Sequence, residues 1–90
     1  MIILFKNVIK RYINIITIND VIMFGAKENI NVSQEEANII LNHLKNNWEN
    51  IIYGNEKEVK KFLNNNFDHI KSEQIFRLFL EYKKKYRNYL

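Results

Sequence analysis

The sequence predicts an all-α protein, one compact domain of four to five short helices spanning residues 1–90, and three observations carry that expectation. Two helix starts, Thr17-Ile18-Asn19-Asp20 and Ser33-Gln34-Glu35-Glu36, stand 16 residues apart, each a hydroxyl residue with an acid three positions on. A hydroxyl at the N-cap accepts from an orphan backbone N–H, and the acid reaches back to the cap's own N–H at the positive end of the helix dipole. Apolar residues recur with a helical period through most of the chain. Finally, there is no proline and there are only two glycines, so nothing marks a domain boundary or linker.

The first helix is predicted over 2–15. Ile2, Phe5, Ile9, Tyr12, Ile13 and Ile16 form its apolar side, with Lys6, Asn7, Lys10, Arg11 and Asn14 opposite. The β-branched pair Ile15-Ile16 ends it before Thr17. A second helix follows over 18–29 and contains Gly25, a residue that costs ~1 kcal/mol against Ala in a helix interior. Close approach of another helix would explain it. The link Asn29-Ile30-Asn31-Val32 leads to a third helix over 34–47 carrying Ala37, Ile40, Leu41 and Leu44. Val32 and Ala37 are placed to form a hydrophobic staple.

Asn46-Asn47 is expected to end the third helix, leaving Trp48–Tyr53 as an apolar connector and Gly54 as the turn. Asn55 caps a fourth helix over 56–66 that presents Val59, Phe62 and Leu63. The run Asn64-Asn65-Asn66 is poor helix material and marks its end. Ser72 is expected to open a last helix over 72–88, whose stripe is Ile75, Leu78, Phe79, Tyr82, Tyr86 and Tyr89. The expected core is Phe5, Ile9, Ile22, Leu41, Leu44, Phe62, Leu63, Ile75 and Phe79.

A chain of 90 residues buries a real core but supports a stability of only about 5 kcal/mol. With no cysteine, neither disulfides nor thiolate metal sites assist, and a cytoplasmic setting is the expectation. The apolar stretch Met1–Phe5 is followed by Lys6, Lys10 and Arg11, which rules out a membrane span there and is the reverse of a signal peptide's order. Ile, Asn and Lys supply 15, 15 and 11 residues, a bias that matches AT-rich codon usage, so a pI of 9.4 is weak evidence for nucleic acid. The placement of charge says more. Residues 1–27 and 71–90 carry ten Lys/Arg against three Asp/Glu, whereas 28–70 carry four against seven. If the two ends meet, one side of the molecule is basic and attracts anionic partners.

The block from Ile16-Thr17-Ile18-Asn19-Asp20 to Ala37-Asn38-Ile39-Ile40 resembles a family of small, uncharacterised helical proteins from spore-forming, low-GC Gram-positive bacteria, a domain of unknown function. The shared pattern is an Ile-Thr helix start, a Gly-containing second helix, the Asn-Ile-Asn-Val-Ser link and a Glu-Glu-Ala opening to the third. An aromatic connector and a final apolar-Tyr stripe are also similar. Members often carry proline after the Thr and before the last helix, where this chain has Ile18 and Lys71 or Ser72. The resemblance implies a helical fold and a bacterial cytosolic origin, and transfers no site residue.

The inventory for chemistry is thin: two Ser, one Thr, two His and two Asp. Thr17, Ser33 and Ser72 are all read as caps. Asp68-His69-Ser72 holds the residue types of a triad, but neighbours at a helix start diverge and rarely align His between acid and nucleophile. His43 has Asn47 at i+4 rather than a ligand, and no His-x-x-Glu or His-Glu-x-x-His spacing exists, so no metal or cofactor is expected. The turn before Ser33 is similar to that of a helix-turn-helix, yet Glu35 and Glu36 would face phosphate at the head of the reading helix.

These readings point to a non-enzymatic module acting through protein contacts, with an unknown protein partner or a homo-oligomer. Trp48, Tyr53 and Tyr86 are the candidate contact anchors, because aromatics dominate interface energetics. The alternative is nucleic-acid association through the basic terminal helices. There Lys83, Lys84, Lys85 and Arg87, interleaved with tyrosines, would contact phosphate. Membrane-surface docking by the basic, amphipathic first helix is a lesser option.

Overall fold

The computed structural model describes residues 2–89 and the side chains from Phe5 to Tyr89. It contains α1 (Ile2–Ile15), α2 (Ile18–Lys27), α3 (Gln34–Tyr53), α4 (Glu56–Asn66), α5 (His69–Tyr86) and a closing 3-10 turn, Arg87–Tyr89; no described residue is in a strand. The parts of the expected α1 stripe and terminus that fall on Met1, Ile2 and Leu90 lie outside the described side chains.

Both expected capping boxes form. Thr17 Oγ1 accepts from the Asp20 N–H at 3.2 Å while the Asp20 carboxylate accepts from the Thr17 N–H at 2.9 Å. Ser33 and Glu36 repeat the arrangement at 3.0 and 2.9 Å. They satisfy backbone donors that helix geometry leaves orphaned. At the other end of α2, Asn29 takes a left-handed conformation with φ 62°. Its N–H donates to Ala26 O, and the Ile30 N–H donates to Gly25 O at 2.8 Å. This paired closure is a Schellman motif, with asparagine standing where glycine is commonest.

Three expectations are corrected. The Trp48–Tyr53 segment is not a connector but a helical continuation of α3. Helical geometry breaks only at Asn47 (φ −137°, ψ 16°), whose side-chain amide turns back to bond His43 O at 3.2 Å. Asparagine competes with the backbone in this way, hence the kink. Beyond it, Trp48, Ile51 and Ile52 have helical spacing, and Ile51 is buried. Second, α5 starts at His69 because Asp68 is its N-cap, accepting from the Lys71 N–H at 2.8 Å. Ser72 therefore lies inside the helix, buried, and its hydroxyl donates to Asn64 Oδ1 at 2.6 Å. Third, what closes on Gly25 is not a helix but the α2–α3 link. A Cβ there would meet Val32 Cγ2 at 2.8 Å and Ile30 O at 3.0 Å.

α3 is the central element: α1, α2 and α4 pack against it, and α4 packs on α5. The core forms two clusters. One centres on Ile51, Val59, Leu63 and Phe67, the other on Ile30, Val32 and Ala37. Val32 and Ala37 thus meet as the staple predicted. Ile40 and Ile75 border both clusters. Of the expected core, Leu41 and Leu63 are buried, whereas Phe5, Ile9, Ile22, Leu44, Phe62, Ile75 and Phe79 are only half-buried. Five of those seven face an opening between the clusters.

Candidate functional site

That opening is a cleft of about 490 Å³ walled by all five helices. Its deep walls are Val32 of the link, Ile51 of α3 and Val59 and Leu63 of α4, all buried. Its lip carries three exposed rings, Tyr12 of α1, Phe24 of α2 and Tyr86 of α5, at 58, 45 and 40 % exposure. The volume falls within the range of ligand-binding clefts. A void of this volume, if sealed and empty, would cost on the order of 10 kcal/mol. That matches the whole stability of a small domain. The arrangement is favourable only if open or filled by apolar groups.

One end of the cleft is bounded by a series of five rings. Phe24 meets Tyr82 at 5.5 Å between centroids, Tyr82 meets Tyr86 at 6.1 Å, Tyr86 meets Tyr89 at 6.4 Å, and Tyr89 meets Phe5 at 5.9 Å. The series joins α2 to α1 through the C-terminal turns of α5. Tyr82 and Tyr86, four residues apart, share a face of α5, and the closing 3-10 turn sets Tyr89 beside Tyr86. The Tyr82 hydroxyl donates to Glu28 Oε2 at 3.0 Å, tying α5 to the end of α2 and raising the phenol's pKa.

Few polar groups enter the cleft, and most are committed. Asp20 serves the Thr17 cap. His43 lies flat on Phe62, centroids 3.6 Å apart and planes 5° from parallel. Its Nδ1 faces the Asn47 amide nitrogen at 3.2 Å. An amide N–H only donates, so Nδ1 accepts and the ring is neutral. Burial lowers its pKa in the same sense. Lys83 borders the cleft and reaches Glu56 at 3.5 Å. Lys85 hangs over the ring series, its Nζ 5.5 Å from the Tyr86 centroid and 5.8 Å from that of Tyr82.

The expected contact residues divide accordingly. Tyr86, Lys83 and Lys85 are at the cleft or its ring series. Lys84 and Arg87 are exposed on the last turns of α5 and the turn beyond. Trp48 and Tyr53 are half-buried on the second segment of α3, away from the cleft walls. Lys6 covers the Tyr53 ring at 4.6 Å and pairs with Glu49 at 3.9 Å. The Tyr53 hydroxyl is buried without a hydrogen-bond partner, and burial raises its pKa. Phe5, Tyr12 and Phe24 were not expected as site residues, because an apolar position on a helix stripe reads as core. No local signal in the sequence marks them otherwise, because the cleft arises from the arrangement of the helices.

Asp68, His69 and Ser72 do not assemble as a triad: Asp68 is held by the α5 backbone and Ser72 by Asn64. Among the described residues no group of three or more His, Cys, Asp or Glu could hold a metal ion. No described helix is long and apolar enough to cross a membrane.

A family model described as a protein of unknown function (DUF2624) matches residues 1–86. No curated protein and no solved structure matches the chain.

Proposed function

We propose a protein-binding role for this chain, which belongs to the DUF2624 family of proteins of unknown function. It acts without catalysis, in the cytoplasm, by receiving the apolar face of a helix from another protein in the cleft. The observation that carries this reading is the cleft itself, an apolar groove with exposed aromatic rings along its lip. Helix-in-groove recognition uses such a surface: anchors at i, i+3 or i+4, and i+7 drop into an apolar trough. Rigid rings give contact area at little cost in side-chain entropy.

The second reading, nucleic-acid contact through the basic ends, is favoured by the exposed Lys84 and Arg87. It is weakened by the engagement of other cations on the two terminal helices. Lys71 pairs with Glu36, Lys83 with Glu56, and Lys6 with Glu49.

A photocrosslinking amino acid placed at Phe24, with a control at Lys57 on α4 outside the cleft, separates the two readings in cells. The protein-contact reading expects discrete protein adducts from position 24 only, unchanged by nuclease. Nuclease-sensitive adducts, or equal adducts from both positions, contradict it.

A further inference from the structure

We propose that the occupant of the cleft is an acidic amphipathic helix, its carboxylates lying against Lys83 and Lys85 at the ring-series end. The proposal rests on the preceding reading of the cleft and adds the partner's chemistry. Its basis is the distribution of charge around the lip. Residues 1–19 contain no Asp or Glu, and neither do residues 82–90. Those stretches supply α1 and the last turns of α5, the two elements joined by the ring series. Of the nearby carboxylates, Asp20 serves its capping box, Glu28 accepts from Tyr82 and Glu56 pairs with Lys83, while Glu81 stands on α5 just before Tyr82. The lip is therefore richer in cations than in carboxylates: Lys83 has Glu56 at 3.5 Å, and Lys85 is set over the rings of Tyr82 and Tyr86.

The same distribution selects against a second copy of this chain. The exposed apolar side chains Val8, Tyr12 and Ile15 run along α1, the natural strip for self-association. Lys6, Lys10 and Arg11 share that helix. Seating one copy's α1 at another's lip would bring these cations against Lys83 and Lys85, a like-charge juxtaposition that suppresses wrong partners. A helix flanked by Glu or Asp meets no such repulsion and is steered toward the site during encounter.

The test uses three labelled helical peptides of about four turns. They share one Leu/Phe stripe and differ only in flanking residues, which are Glu, Gln or Lys. Each is titrated by fluorescence anisotropy against the wild-type chain at low salt and at ~150 mM salt, where exposed charges are screened beyond ~8 Å. The Glu peptide is expected to bind about tenfold tighter than the Lys peptide at low salt, a difference of about 1.4 kcal/mol. The gap should shrink at higher salt and in the Lys83→Gln/Lys85→Gln double variant. Phe24→Glu, checked for folding by its thermal melt, should abolish binding of all three. Tyr86→Glu, on an exposed lip residue, gives the same readout if Phe24→Glu does not fold.

Equal binding of the three peptides, lost in the lip variants, overturns the acidic-partner proposal and leaves the cleft reading standing. Binding that survives both lip variants, or no binding by any peptide, overturns both. So does a chain that ignores the peptides and binds vesicles of anionic phospholipid, which would make the surface a membrane contact.

Discussion

The Lys71 ammonium lies 2.8 Å from Glu36 Oε1, the same oxygen that accepts the Ser33 N–H at 2.9 Å. One carboxylate thereby closes the capping box of α3 and fastens the first turn of α3 to the first turn of α5. Both side chains are only partly exposed, at 21 and 25 %. The bond from Lys71, followed by that from Ser33, holds the Glu36 carboxyl below its ordinary value of 4.5.

A pH dependence follows. Because the folded-state pKa is depressed, the contribution of Glu36 is fully present above the unfolded carboxyl's value and is lost as pH falls through the folded value. Glu36→Gln should cost about 1 kcal/mol at neutral pH, the usual size of a cap or a partly exposed ion pair. It should also flatten the acid limb of the stability profile. Urea unfolding from neutral pH down through the carboxyl range checks this. Parallel profiles for the wild type and the variant would show that the pair contributes nothing.

The start of α5 distinguishes a cap from a buried hydroxyl. Asp68→Ala should cost about 1 kcal/mol through the lost N-cap bond. Ser72→Ala should cost a similar amount through the lost bond to Asn64. Ser72→Asp separates the two positions: at an N-cap it would be tolerated, but at a buried site it places a carboxylate where nothing offsets its desolvation. Thermal melts should show Ser72→Asp far less stable than Ser72→Ala.

The sequence made Thr17 and Ser33 legible because a capping box is a local device of four residues. It misled at Ser72 for the same reason: Asp68 and Ser72 are both good cap residues, and local chemistry alone does not choose between them. Burial chooses, since Ser72 packs beside Asn64 of the preceding helix. Helicity through Trp48–Tyr53 was hidden by the two asparagines ahead of it. The tyrosine stripe was legible as a helical face. Its meeting with Phe5 and Phe24 was not, because those contacts join residues more than fifty positions apart and arise only from how the helices are arranged.

The close of α2 predicts opposite effects at neighbouring positions. Asn29 has positive φ, so Asn29→Gly should be neutral or stabilising, whereas a β-branched residue there should cost about 1–2 kcal/mol. Gly25→Ala should destabilise despite alanine's better helix propensity, because its Cβ would press on Val32 Cγ2 and Ile30 O. Chemical denaturation of the three variants checks the set. A stabilised Gly25→Ala would refute the close approach.

His43, flat on Phe62, should titrate below the ordinary histidine value of 6.5, since burial disfavours the imidazolium. With the folded pKa depressed, the stability tied to this ring is complete above 6.5 and declines as pH falls through the folded value. The ring-proton NMR titration gives the midpoint directly. A midpoint at or above 6.5 would mean that the ring is not held neutral against Phe62.

The most direct test is amide chemical-shift mapping of the labelled chain at ~150 mM salt, a condition that screens distant surface charges. The Glu-flanked helical peptide is added in one titration and a single-stranded oligonucleotide in another. The predicted result is saturable movement by the peptide of the amides of Tyr12, Phe24, Gly25, Tyr82 and Tyr86, with no comparable movement by the oligonucleotide. Unmoved cleft amides, with the oligonucleotide instead shifting Lys84 and Arg87 to saturation, would contradict a protein-binding cleft.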